Sequence, residues 1–410
     1  MTKKTPFSYY SDVTGITETI LADIKSLSKP LRKFLLIIYT QWWSVSGRYN
    51  FINMARYLRY SEQTLRNGYS RGFDFPQFNI SLVKQHCSCE TILAYDPTFI
   101  RKSGKHTEGS DYFWSGMEQR AKKGLEIGCL AAVDIKNETA FHLSALQTPA
   151  SVERKDKKMS LIDHYREHVL SVLPSLGGIS RYMAVDGYFM KKEFILPVVK
   201  AGLHIITKMR SDGNLKYLYK GEQKKGKGRK RKHDGKVNLK NIDKRRWSKF
   251  HETKEEEYYT AALYCVALKM DVRVVYLFKK KSKGYEVFLS TAITLAPEKI
   301  VKYYRMRYQI EFLIRDGKGH SGLEDCQARD KEKLNFHFNI SLTNINIAKV
   351  AYYLPIPKAR RKAFSLQDIK RFYHTKFVAD TIFSNLGLDL SCKKIKRIYL
   401  HCLDVGRMAA

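Results

Sequence analysis

A mixed α/β protein, with a core interrupted by a β-rich insertion and helical regions at either end, is what this sequence predicts. Apolar runs of strand length alternate with helix-period segments between residues 91 and 209. Residues 210–296 then hold three further strand-like runs in a stretch far longer than a connecting loop requires. Residues 1–85 and 356–410 carry capped, amphipathic segments in place of strand patterns.

Charge narrows the partner before any motif is considered. Among 410 residues, 74 Lys and Arg stand against 40 Asp and Glu, a formal charge of +34. Such an excess points to a polyanion, nucleic acid first. An anionic membrane is the competitor, but the longest apolar run, residues 34–39, is too short to span a bilayer. Basic residues near the start precede no apolar segment, so no secretory signal is expected and an intracellular location is expected. The seven cysteines are odd in number and scattered, as in a reducing compartment. His86, Cys87 and Cys89 lack the second pair that a structural zinc site would need.

Residues 31–43 are densely apolar, residues 44–49 interrupt them, and Ser61 caps a short segment with Arg66 and Arg71. These short helices read equally as a helix-turn-helix or as an ordinary helical hairpin. Next come strands over residues 91–95, 125–133 and 139–146, a helix over 161–173, a strand over 182–185, a helix over 191–201 and a strand over 203–209. The first strand is expected to stop at Asp96-Pro97, because proline discourages continuation. Three strands, helix, strand, helix, strand is the order of the ribonuclease H-like fold. Its first strand is central and its fourth lies beside it, which brings Asp96 and Asp186 to neighbouring strand ends.

The insertion carries a basic tract at residues 224–236, expected to be a disordered, phosphate-binding loop. A meander over residues 258–268, 272–279 and 285–291 follows. Beyond it, residues 300–320 read as one helix started by Pro297 and loosening at Gly317 and Gly319. At roughly 100° per residue, Tyr304, Arg307, Glu311 and Lys318 fall within an arc of about 60°. Apolar Tyr303, Met306, Ile310, Leu313 and Ile314 line the adjacent face. Residues 334–354 form an amphipathic helix closed by Pro355 and Pro357. Ser365 caps a helix to about residue 385, and a short basic helix ends the chain.

The spacing Tyr304, Arg307, Glu311, Lys318, together with YDPTF at Asp96 and AVDGYF at Asp186, resembles the Y-R-E-K branch of bacterial insertion-sequence DDE transposases, the cut-and-paste enzymes. The resemblance implies DNA strand cleavage and transfer with two Mg²⁺ ions, for which Mn²⁺ substitutes. By that resemblance Asp96 would bridge both, and Asp186 and Glu311 would each hold one. Such ions prefer carboxylate oxygen and stabilise both the attacking and the leaving oxygen. In the resembling family, water nicks one strand, the freed 3′-hydroxyl attacks the other to form a hairpin, and the opened end joins target DNA.

Tyr304, Arg307 and Lys318 would position the cut end. Trp247 either receives a flipped base or anchors the insertion as a buried residue. The implied organisation is an N-terminal DNA-end-binding region (1–85), a catalytic core in two parts (86–210 and 296–355), a β-rich insertion (211–295) and a C-terminal helical region (356–410). That last region either docks on its own core or dimerises. Partners would be double-stranded terminal inverted repeats and target DNA, with a homodimer in the active complex and no membrane, in the bacterial cytoplasm. The alternatives are a catalytically inactive, transposase-derived DNA-binding protein and a structure-specific ribonuclease H-like nuclease.

Overall fold

The computed structural model describes residues 12–210, 213–223 and 229–406. Five helices come first: α1 (Val13–Asp23), α2 (Lys29–Gln41), α3 (Phe51–Ala55), α4 (Glu62–Tyr69) and α5 (Phe75–His86). Each begins at a side chain that accepts backbone N–H bonds: Asp12, Ser28, Asn50, Ser61 and Asp74. Leu65 and Tyr69 of α4 turn inward, and Tyr69 packs on Phe336 with ring centroids 4.6 Å apart. Gly68 makes that approach possible, since a Cβ there would lie 2.1 Å from the Phe34 ring. The N-terminal helices thus share one hydrophobic core with the sheet.

The sheet follows: β1 (Thr91–Ile100), β2 (Asp111–Ser115), β3 (Arg120–Asp134), β4 (Thr139–Gln147), α6 (Ser151–Asp156), α7 (Leu161–Leu176), β5 (Tyr182–Val185), α8 (Lys192–Lys200) and β6 (His204–Lys208). Pairing runs β4-β3-β1-β5-β6, with β1, β5 and β6 parallel and β3 antiparallel to both β1 and β4. That is the ribonuclease H-like core. One expectation fails: β1 does not end at Pro97 but continues to Ile100, with Pro97 opposite Gly128. The β5 side of β1 is paired only as far as Tyr95, so beyond it one side carries no ladder and a missing N–H is tolerated. Strand β2, which the sequence reading passed over, forms a hairpin with the start of β3.

The insertion comprises β7 (Leu215–Leu218), β8 (His233–Lys236), β9 (Ser248–Glu252), β10 (Glu256–Cys265), β11 (Met270–Lys279) and β12 (Tyr285–Ser290). Phe288 of β12 pairs with Lys208 of β6, so these strands extend the core sheet. The expected meander is β10 to β12. The basic tract begins with residues 224–228, outside the described residues, and its end is β8 rather than loop.

The stretch expected as one helix is two, α9 (Pro297–Met306) and α10 (Gln309–His320). Between them the bonds tighten to three-residue spacing, with Ile310 N–H on Arg307 C=O and Glu311 N–H on Tyr308 C=O. Gly317 does not loosen α10. It lies inside the helix, where an added Cβ would be 2.9 Å from Leu342. That neighbour belongs to α11 (Lys331–Tyr352), which is buried all round rather than amphipathic. Its polar residues close the sheet edge. Asn339 accepts from Ala145 N–H at 2.9 Å and donates to its C=O at 2.9 Å, and Asn346 does the same to His142 at 2.8 and 2.7 Å. Side-chain amides therefore complete the open ladder of β4.

Helix α12 (Leu366–Asn385) docks against the 3₁₀ turn Trp42–Ser44, with His374 Nδ1 donating to Ser44 C=O at 3.0 Å. Helix α13 (Lys393–Asp404) packs on α12 through Ala379, Tyr399 and Leu403. Among the described residues, no helix is long and apolar enough to cross a membrane.

Candidate active site

Register sets two of the three carboxylates. Tyr95 on β1 lies opposite Val185 on β5, and in each strand the next residue is an aspartate, Asp96 and Asp186. Parallel neighbours lie about 4.8 Å apart, so the two acids emerge at adjacent positions on one sheet edge. Asp96 is half-buried in mid-strand opposite Cys129, whereas Asp186 is exposed where β5 gives way to the short turn Gly187–Phe189. The chain leaves β5 close to β6: Thr207 Oγ1 donates to Asp186 C=O at 3.1 Å, and a Cβ on Gly187 would meet Lys208 C=O at 3.2 Å.

Behind Asp96, Tyr95 points to the opposite face. Its hydroxyl meets His168 Nδ1 at 3.2 Å, and His168 Nε2 meets Ser144 Oγ at 2.8 Å. A side chain on Gly128 would occupy the place of the Tyr95 hydroxyl, 1.9 Å from a built Cβ. This buried chain fixes β1 where it carries Asp96.

Glu311 comes from the first turn of α10, and Arg307, in the joint between α9 and α10, donates from Nη2 to Glu311 Oε1 at 3.0 Å. Tyr304 Oη donates to Asp186 Oδ1 at 3.5 Å, and its ring rests on Phe288 of β12 with centroids 4.9 Å apart. Lys318 Nζ donates to Phe99 C=O at 2.6 Å and lies 3.8 Å from Glu324. The bend between α9 and α10 breaks the single stripe expected of a straight helix. Tyr304, Arg307 and Glu311 nevertheless converge on the aspartates, because the joint turns toward the sheet edge.

Electrostatics tie the group together. Burial pushes the Asp96 carboxyl up to about 7, with Glu311 and Asp186 adding to the rise against the pull of Arg307 and Lys318. Burial works against the Arg307 cation, but Asp96, Tyr304, Glu311 and Asp186 outweigh it and hold the guanidinium above its usual range. Burial lowers Lys318, with Glu324 opposing. Arg307 Nε is buried without a hydrogen-bond partner, a donor left free on the side chain that grips Glu311.

Oxygen donors suit hard divalent cations, and such an ion would relieve both the burial and the mutual repulsion felt at Asp96. A closed cage is not preformed. Among the described residues, no three His, Cys, Asp or Glu side chains stand close enough to hold an ion in common. Arg307 engages one oxygen of Glu311, Oε1, and the donor set fits a divalent ion in its chemistry.

Trp247 stands apart from this group. It is 6% exposed, donates from Nε1 to Tyr217 Oη at 3.2 Å and lies edge-on to Tyr276 at 6.0 Å. The buried-anchor alternative describes it as it sits, and the ring offers no face to a base. Of the four tryptophans only Trp114, on β2, is exposed, at 59%. The sequence reading also passed over Glu324, which holds Lys318, and a set of cations beyond β1. Their only signal was the local density of Arg and Lys at residues 101–102 and 120–123.

The profile of the family described as Transposase DDE domain matches residues 88–347, well over half of the chain. No curated protein sequence matches. The solved structures similar to this chain include the cryo-EM structure of the piggyBac transposase synaptic complex with hairpin DNA. The likeness there is 13% identity and a TM-score of 0.43, over 97% of this chain and 76% of that one. The matched segment contains both strand aspartates and the glutamate helix, and the chain belongs to the DDE transposase family.

Proposed function

We propose that this enzyme cleaves DNA at the ends of a mobile element and joins those ends to target DNA, with Asp96, Asp186 and Glu311 as the metal-holding carboxylates. The observation that carries the reading is the Tyr95-to-Val185 register, which delivers two aspartates side by side at the edge that α10 crosses with Glu311. Enzymes of this family depend on divalent metal ions, and Mg²⁺ is the ion this all-oxygen donor set suits best, with Mn²⁺ as a substitute. Bound there, two such ions would supply Lewis-acid stabilisation of the attacking and leaving oxygens.

The chain's own groups then have separable tasks. Arg307 grips a phosphate with the free Nε and the Nη2 released from Glu311, a planar fork matched to two phosphate oxygens. Tyr304 orients Asp186 through its hydroxyl, and Lys318 brings a cation beside the Phe99 end of β1. In the first step a water oxygen bonds to phosphorus as the P–O3′ bond breaks, leaving a 3′-hydroxyl and a 5′-phosphate. In joining, that 3′-oxygen bonds to a target phosphorus, a target 3′-oxygen leaves, and the proton passes to it. A hairpin-ended intermediate belongs to the same reading: the 3′-oxygen bonds to a phosphorus of the opposite strand, that strand's own 3′-oxygen leaves, and the proton passes to it. The buried Trp247 takes no part in it.

The test is incubation with an end-labelled duplex of the inverted repeats flanking the gene, with and without Mg²⁺, resolved on a denaturing gel. Metal-dependent nicking at the repeat terminus is expected from wild type. Asp96→Ala, Asp186→Ala and Glu311→Ala should each abolish it and leave DNA affinity within about 1 kcal/mol. Nicking that persists in any of the three would refute the site.

A further inference from the structure

A cleft of about 1070 Å³ opens beyond the Ile100 end of β1, lined by cations from widely separated parts of the chain. Arg48 and Arg66 come from the N-terminal helical region, Arg101 and Lys102 follow β1, Lys123 lies on β3, and Arg329 precedes α11. Lys318 adjoins the cleft, since Phe99 and Glu324 both line it, Phe99 C=O accepts from Lys318, and Glu324 lies 3.8 Å from Lys318.

Acidic residues on its wall do not neutralise these cations. Glu324 accepts from Arg101 N–H at 3.3 Å and lies beside Lys318, Asp325 accepts from Tyr49 N–H at 2.9 Å, and Asp330 caps α11 and holds Lys333 at 2.9 Å. Arg66 is paired with Glu62 at 2.5 Å, and Lys102 donates to Cys326 C=O. Arg48, Lys123 and Arg329 are exposed and have no acidic partner among the described residues. Solvated surface charges normally spread out or pair with acids. Here cations brought together from distant sequence face one concave space, where the low-dielectric walls focus their field.

We propose that this cleft binds the phosphate backbone of duplex DNA running away from the scissile bond, with Arg48, Lys123 and Arg329 making the phosphate contacts. The inference rests on the proposed DNA-cleaving function and adds a second holding site to the Tyr304, Arg307 and Lys318 group. It also gives the N-terminal helices a way to touch DNA without presenting a recognition helix.

The test measures affinity for two fluorescein-labelled duplexes of equal length, the flanking terminal repeat and a random sequence, over a range of salt. Wild type is compared with the triple variant Arg48→Gln, Lys123→Gln, Arg329→Gln and with the single variant Lys123→Gln. Loss of three phosphate contacts should reduce the slope of log affinity against log salt by about 2 to 3, and loss of one by about 1. Arg48→Lys with Arg329→Lys should keep the wild-type slope. A reduction on the repeat alone assigns the cleft to the element's end, and a reduction on both duplexes assigns it to any duplex, target included. An unchanged slope on both, with wild type binding normally, overturns the cleft alone. Failure of wild type to bind either duplex overturns the DNA reading as a whole. Should the triple variant melt early, the exposed Lys123→Gln decides by the same criterion.

Discussion

Arg307 holds Glu311 at 3.0 Å while its own Nε, buried, has no partner. A guanidinium engaged on one side and empty on the other can exchange one anion for another. A bound phosphate would satisfy that fork and compete with Glu311 for Nη2. The ion pair is partly exposed and contributes little to stability by itself, so its value lies in where it leaves Glu311.

Arg307→Lys keeps the charge but not the fork. Cleavage should fall by about 10²-fold, the scale of losing one preorganised donor to a reacting phosphate, while the melting temperature stays close to wild type. Parallel single-turnover cleavage and thermal melts check this. A loss of activity that tracks a loss of stability would mean that Arg307 is structural.

The Asp96 carboxyl, pushed up to about 7 from an ordinary value of 3.8, fixes the sign of a pH effect. A carboxyl raised by folding favours the protonated folded state, so the penalty for ionising it is absent below 3.8, grows between 3.8 and about 7, and is fully present above. Asp96→Asn should therefore melt higher than wild type at pH 8, by roughly 2 °C per kcal/mol of penalty removed, with the gain vanishing toward pH 4. Scanning calorimetry at both pH values, without metal, reads it. An equal effect at the two pH values would contradict the buried-charge account.

Asn346 accepts from His142 N–H at 2.8 Å and donates to His142 C=O at 2.7 Å and to Asn79 Oδ1 at 2.9 Å. Asn346→Leu leaves buried strand groups unsatisfied and should cost about 2 to 4 kcal/mol in denaturant unfolding. A cost below about 0.5 kcal/mol, that of an ordinary surface change, would show that β4 does not depend on α11 to close its edge.

Trp247→Phe removes the bond to Tyr217 and should cost about 1 kcal/mol of stability, with cleavage and any hairpin formation within twofold of wild type. Selective loss of the hairpin step would restore the base-receiving role.

What the sequence made legible follows from which patterns are local. The strands leading to Asp96 and Asp186 were readable because buried strands announce themselves as short apolar runs, and the fold order then makes those strands neighbours; the aspartates themselves stood out only through the family resemblance. Ser61 was readable as a cap because capping is decided within three residues. The joint between α9 and α10 was not, because residues 306–309 contain no proline or glycine to mark it. Packing of Tyr304 on Phe288 and of Tyr303 on Tyr182 holds α9 against the strands, contacts that periodicity cannot anticipate. Helix α11 was read as amphipathic because its asparagines look solvent-facing in sequence, whereas they face strand backbone. Gly317 looked like a helix end for the same reason: its neighbour Leu342 is distant in sequence. The basic cleft was illegible because its cations are brought together only by the tertiary fold.

Manganese binding tests the shared carboxylate site most directly. Electron paramagnetic resonance titration of Mn²⁺ into the DNA-bound enzyme at pH 8 should show wild type removing free Mn²⁺ from the spectrum. Asp96→Ala, Asp186→Ala and Glu311→Ala should each weaken that uptake at least tenfold. Equal uptake by wild type and all three variants would contradict the account.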